Sequence, residues 1–225
     1  MGADAIATGA MTAHEQVYRR LRDDILNGQM EPGTSVTLRG LAAEMGVSMT
    51  PAREAVRRLV AERALMLTGS GRVLVPMLDA AALAELFEAR RLIEPALAAR
   101  AAMAARGDKA LLARLQRHDD TLERAVVASD PQSYVAANHA FHADLSAAAG
   151  APSLLALAES VWLQTAPTMR RVYGQIGTRA LDDHHVAAMA AIDAGDGAAA
   201  AAAIAGDVAQ GAALAGEASL DRRIL

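Results

Sequence analysis

Gly46 constrains this chain more than any other single residue. It interrupts the stretch Leu38–Leu59, LRGLAAEMGVSMTPAREAVRRL, where one helical pattern stops and another begins almost at once. Leu38, Leu41, Ala42 and Met45 recur at helical spacing, and glycine just past such a run ends it. Ala52, Ala55, Val56, Leu59 and Val60 then build a second apolar face, with Arg53, Glu54, Arg57 and Arg58 opposite. Two short helices around a glycine turn make a helix-turn-helix, or an ordinary helical hairpin with a solvated charged face. Ser48 and Thr50 can accept from free N–H groups at the start of the second helix, and Pro51 suits its first turn. Hydroxyls and arginines at an exposed helix N-terminus are the groups that meet phosphates and base edges.

The next residues favour the DNA-binding alternative. Residues 62–68 lead into Gly69-Ser70-Gly71, and Arg72-Val73-Leu74-Val75 follows, so a small β-hairpin is expected with Arg72 at its tip. A hairpin after a helix-turn-helix is a winged helix. Val17, Leu21, Ile25 and Leu26 give a first amphipathic helix ending near Gly28. Thr34–Thr37 reads as an extended link able to pair with the wing.

Residues 16–76 resemble the DNA-binding domain of the GntR family of bacterial transcription regulators. The matching pieces are Ile25-Leu26-x-Gly28 with Pro32-Gly33, then Gly46-Val47-Ser48, then Thr50-Pro51-x-Arg53-Glu54-Ala55. The resemblance implies contacts to a double-stranded operator from Arg39, Ser48, Thr50, Arg53 and the wing residues Gly71 and Arg72. Arg57, on the same exposed face as Arg53, joins them. Two departures stand out: Met49 where the family usually has arginine, and Arg63-Ala64 where it usually has Gly-Leu.

Charge agrees only locally. The chain carries −4 overall, yet residues 48–72 hold five arginines against two glutamates. DNA affinity would come from that patch, doubled in a dimer. There is no cysteine, so neither disulfides nor thiolate metal sites arise, and no basic-then-apolar leader is evident. The longest apolar run, Ala198–Ala205, is too short to span a bilayer. A cytoplasmic protein without membrane segments is expected.

Beyond a linker at 76–79 the pattern is helix after helix. Helices are expected over about 79–105, 111–127, 131–150, 152 onward with a kink at Pro167, 179–194 and 196–216. Gly206, Gly211 and Gly216 weaken the last, each by about 1 kcal/mol against alanine. The fold class is therefore mostly α: an N-terminal winged helix-turn-helix (residues 12–76, after a disordered 1–11) and a C-terminal antiparallel bundle of about six helices (residues 79–217).

The second half resembles the FCD ligand-binding domain of the FadR-type branch of the same family. The resemblance rests on Leu86-Phe87-x-x-Arg90-x-x-x-Glu94, on Asn138-x-x-x-His142-x-x-Leu145, and on His185 followed by Asp196 and an Ala-rich helix. Many members hold a divalent metal with one Asp and three His. Aligned on those motifs, Asn138 takes the Asp position, His142 and His185 take two His positions, and Asp207 takes the third. That set can still take zinc, nickel or manganese, with lower affinity for want of one charge; the alternative is a pair of hydrogen-bonded core histidines. His139 and His184 fall on other faces and are expected to be solvated. Arg90 either pairs with Glu94 at i, i+4 or forks onto the carboxylate of a small organic-acid effector.

These readings converge on a ligand-responsive transcription regulator acting as a homodimer. A metal-dependent enzyme on a helical bundle is the alternative from another class, and an effector-free DNA-associated protein is a third. Against an enzyme, the chain has no H-E-x-x-H, no Glu-x-x-His pair and no G-x-S-x-G elbow.

Overall fold

The computed structural model describes residues 11–177 and 182–220. Almost all of the segment expected to be disordered, and the expected start of a helix near 179, lie outside them. Helix α1 (Ala13–Leu26) buries Val17, Tyr18, Leu21, Ile25 and Leu26, the stripe its periodicity gives. Strand β1 (Ser35–Thr37) leads directly into α2 (Leu38–Glu44), whose start is fixed by the Thr37 hydroxyl accepting from Gly40 N–H at 3.0 Å. Gly46, at φ +65°, makes the turn that a side chain would strain. Helix α3 (Met49–Ala61) then buries Ala52, Ala55, Val56 and Leu59. Ser48 occupies its N-cap position, but its hydroxyl makes no capping bond.

The wing is a three-stranded antiparallel sheet in the order β1, β3 (Arg72–Leu74), β2 (Met66–Leu67). Val36 pairs with Val73, so the extended link does join the wing. Arg63, just after α3, adopts φ +60°. Glycine takes such a left-handed turn without strain, and this chain makes it with arginine.

The second half holds six helices among the described residues: α4 (Ala80–Ala104), α5 (Lys109–Ala128), α6 (Pro131–Ala147), α7 (Pro152–Ile176), α8 (His184–Ala194) and α9 (Gly197–Leu220). Aspartates start five of them. Asp79, Asp108, Asp130, Asp183 and Asp196 each accept from an N–H of the first turn, each such cap contributing about 1 kcal/mol. Helix α7 runs unbroken through Pro167.

Helix α9 does not stop at its glycines. A Cβ on Gly206 would lie 2.7 Å from the His184 ring, and one on Gly211 3.2 Å from Phe87. Both glycines let α9 lie close against its neighbours, which offsets their low helix propensity. The Gly197–Ala218 stretch is long and apolar enough to cross a membrane by length and composition. Here it packs against α4 and α8 with Ala200, Ile204 and Val208 buried, and it carries Asp207 at mid-length. Its inward face belongs to the core of the bundle.

The two halves touch through α1 and α7. The Arg170 guanidinium donates to Gly28 C=O at 2.8 Å and lies 3.0 Å from Glu31, while Arg22 pairs with Glu159 at 3.0 Å.

Candidate functional site

A largely buried polar cluster lies inside the helical half. On α6, Asn138 and His142 are one helical turn apart and both buried. Helix α8 brings in His185 and α9 brings in Asp207. One ligand atom from each of His142, His185 and Asp207 falls within 4.8 Å of the other two. Asn138 Oδ1, His142 Nε2 and His185 Nε2 are buried without any hydrogen-bond partner. Such orphans are rare in native interiors and call for an explanation.

The other nitrogen of each ring is held. His142 Nδ1 lies 2.7 Å from Glu94 Oε2, and His185 Nδ1 hydrogen-bonds Asp119 Oδ1 at 3.0 Å. A carboxylate on Nδ1 keeps the proton there and turns the Nε2 lone pair inward, the arrangement found behind metal-binding histidines. Phe141 stacks on His185 with ring centroids 3.7 Å apart and fixes its plane. His142 Nε2 also lies 3.0 Å from Asp207 Oδ2 without hydrogen-bond alignment, and His185 Nε2 lies 3.8 Å from Asp207 Oδ1.

The electrostatics suit a cation. Burial lowers the basicity of His142, but the Glu94 and Asp207 carboxylates outweigh it and raise the imidazole to about 9. Burial would raise Glu94, yet Arg90 and His142 bring it down to about 2. Asp207 is likewise held well below the usual carboxylate range, where His142, His185 and Arg90 prevail over burial. Without a metal, a proton on His142 occupies the lone pair that a metal would take.

Arg90 forms the i, i+4 pair. Its Nε meets Glu94 Oε1 at 2.5 Å, and its guanidinium lies 3.9 Å over the Trp162 ring. It sits behind Glu94, which in turn backs His142. A cavity of about 380 Å³ reaches His185 and Asp207 from outside, between α5, α6, α8 and α9, and Arg90 is not on its wall.

His139 and His184 are only partly exposed, where full solvation is expected. His139 is half-buried with its ring edge 5.3 Å from Trp162, and burial pushes its imidazole down to about 4. His184 is half-buried against Gly206.

Sequence reading missed Asp119. Its signal was present: on α5 it follows Leu111 and Leu115 at spacings of four, an acid on a buried stripe. In the sequence Glu94 stands only as a partner for Arg90, because its contact with His142 crosses between helices.

In the N-terminal half, Arg39, Ser48, Thr50, Arg53 and Arg57 are exposed on α2 and α3. Arg57 pairs loosely with Glu54 at 3.6 Å. Arg58 faces elsewhere: it lies 3.6 Å over Tyr18 and pairs with Glu15 and Glu62. The wing tip is Gly69-Ser70-Gly71, with Gly71 at φ +77°. Arg72 stands just behind the tip, its guanidinium bonded to Ser35 on β1.

Comparison with known proteins agrees with this architecture. Residues 13–75 match the bacterial regulatory proteins of the gntR family, and residues 85–210 match the FCD domain. The HTH-type transcriptional regulator McbR of Escherichia coli is 28% identical over 169 residues, 75% of this chain and 76% of that protein. The gluconate operon transcriptional repressor of Bacillus subtilis is 34% identical over 88 residues, 39% of this chain and 34% of that protein. The solved structure of E. coli McbR/YncC has a TM-score of 0.82 at 25% identity, covering 92% of this chain and 99% of that one. A putative GntR regulator from Rhodococcus sp. RHA1 shares the fold, with a TM-score of 0.73 at 22% identity over 91% of this chain and 98% of its own. A winged helix joined to a matching FCD domain sets aside the enzymatic reading: the chain belongs to the GntR family of bacterial transcription regulators, in the FadR-type branch, and is a DNA-binding regulator.

Proposed function

We propose that this regulator responds to a small carboxylate effector through a divalent metal held by Asn138, His142, His185 and Asp207. The observation that carries the reading is the pair of buried histidine Nε2 atoms beside Asp207, neither making an aligned hydrogen bond, with both rings oriented from behind by carboxylates and the Asn138 amide oxygen buried without a partner one turn from His142. Two imidazoles, one carboxylate and one amide oxygen suit zinc, nickel or manganese. A cation there would supply a Lewis-acidic centre with open positions for an oxygen ligand. Glu94 and Asp119 orient the rings. Arg90 holds Glu94 and acts through it, which is a positioning role; a direct effector contact from Arg90 would require it to leave Glu94.

On DNA, α3 would enter the major groove with Ser48, Thr50 and Arg53 at its leading end, and Arg57 further along. Arg39 and the wing residues Gly71 and Arg72 would meet the flanking backbone. A single module reads too few base pairs for tight binding. A homodimer would place two such helices about 34 Å apart on a palindromic operator. Helix α7 offers a route between the sites, since its inner face carries Trp162 and Tyr173 beside the cluster and its Arg170 grips the turn after α1.

The test is to select an operator from a random duplex library and titrate it with metal-loaded and metal-stripped protein. Operator affinity that differs between the two forms, and falls for Arg53→Ala in both, is the expected result. Equal affinity for both forms, with or without organic acids, would leave a DNA-binding protein without this sensor.

A further inference from the structure

The cavity that reaches the cluster from outside has walls of two kinds. Leu122, Val126, Val127 and Tyr134 line it with apolar surface. Its remaining wall holds five carboxylates, from Asp119, Glu123, Asp182, Asp183 and Asp207, and among the described residues no lysine or arginine. Oxygens of Asp119, Glu123 and Asp183 lie within 4.8 Å of one another. Asp119 is committed to His185, while Glu123 and Asp183 are exposed at the mouth. His185, 4% exposed, forms part of the inner wall with its Nε2 unpartnered. The field of the acids reaches the apolar wall: burial, then Tyr173 and the carboxylates of Asp207, Asp119 and Asp183, raise the Tyr134 phenol far above its ordinary value.

A simple dicarboxylate meets repulsion here at every acid it passes, and like charges brought together in a poorly hydrated cleft are costly. A bare ion would leave the apolar wall unused. From the carboxylate-lined mouth and the unpartnered inner histidine, we infer that the effector is an amino-bearing organic acid: an ammonium group sits between Glu123 and Asp183, a short apolar body lies along Leu122, Val126 and Tyr134, and a carboxylate points inward. The inward end rests on the metal reading proposed above. The ammonium end rests on the carboxylates alone.

Thermal melting of the full chain, metal-loaded and metal-stripped, tests both ends with four probes: hexanoate, 6-aminohexanoate, 1,5-diaminopentane and calcium. In loaded protein, 6-aminohexanoate should raise the melting temperature at millimolar concentration and hexanoate should not. Glu123→Gln should lose most of that shift while keeping the parent's melting temperature without ligand, because Glu123 is exposed. If the metal reading fails, 1,5-diaminopentane still stabilises stripped protein through the same glutamate, so the two failures are told apart. The inference is overturned if hexanoate works as well as 6-aminohexanoate, if neither amine shifts either form, if Glu123→Gln leaves the amine response intact, or if calcium alone produces the Glu123-dependent shift.

Discussion

Asp119 Oδ1 accepts from His185 Nδ1 at 3.0 Å, and this one bond decides which nitrogen of the ring faces the cluster. Asp119 comes from α5 and His185 from α8, so the bond also ties together two helices on either side of the cavity. Losing it should free the ring to turn. Asp119→Ala should weaken metal binding by about 10–100-fold, the usual effect of removing such a partner. Titration calorimetry with zinc on parent and variant measures it, and equal affinities would show that His185 is not a ligand.

The acids around His142 predict a pH dependence. Its imidazole is raised to about 9 in the metal-free protein, against about 6.5 when unfolded. A group raised on folding contributes stability that is complete below the unfolded value and lost as pH rises through the folded one. Metal-free protein should therefore lose stability between about pH 6.5 and 9. Apparent metal affinity should rise over the same range as the proton leaves. Chemical denaturation across that window, with and without metal, reads both slopes. His142→Gln should flatten the first.

Arg63 carries a local conformational cost. At φ +60° it holds a backbone form that costs a non-glycine residue about 1 kcal/mol. The Arg63 side chain is exposed, and its backbone N–H donates to Val60 C=O at 3.0 Å, a bond that glycine would keep. Arg63→Gly should stabilise the winged helix by about 0.5–1 kcal/mol, glycine's greater unfolded freedom offsetting part of the gain. A urea melt decides; an unchanged or lower midpoint would mean that the arginine side chain contributes something the backbone does not reveal.

The clasp between Arg170 and the turn after α1 should carry the response from one half to the other. Arg170→Ala removes both the bond to Gly28 C=O and the pair with Glu31. Operator affinity of the metal-free variant should stay close to that of the parent, while the difference between metal-loaded and metal-stripped forms shrinks. Fluorescence anisotropy on a selected operator compares the two. A full metal response in the variant would place the coupling elsewhere.

The periodic elements were legible in the sequence because their signals are local. Val17, Leu21 and Ile25 recur at helical spacing, Gly46 stops one helix, and Asp130-Pro131 starts another; each sign sits within a few residues of its effect. The proposed metal ligands were legible only through family resemblance, since no spacing within the chain links Asn138 and His142 to His185 and Asp207. What the sequence hid was contact between helices. Asp119 reads as one acid among several on α5 until α8 brings His185 to it. Glu94 reads as a partner for Arg90 until α6 brings His142 to its other oxygen. Gly206 and Gly211 read as weaknesses in α9, whereas they are where His184 and Phe87 come close. His139 reads as solvated until Trp162, from α7, covers it.

If Asn138, His142, His185 and Asp207 form a metal site, the metal bound per chain should follow the ligand set. Parent, Asn138→Asp and His142→Ala would each be dialysed against zinc, nickel or manganese, and bound metal counted per chain by mass spectrometry. The parent should hold metal weakly and lose it readily. Asn138→Asp should hold it more tightly, because a charge replaces the amide oxygen beside the cation, and His142→Ala should hold none. Failure of both the parent and Asn138→Asp to bind any of the three ions would rule out a metal site and leave His142 and His185 as core histidines held by Glu94 and Asp119.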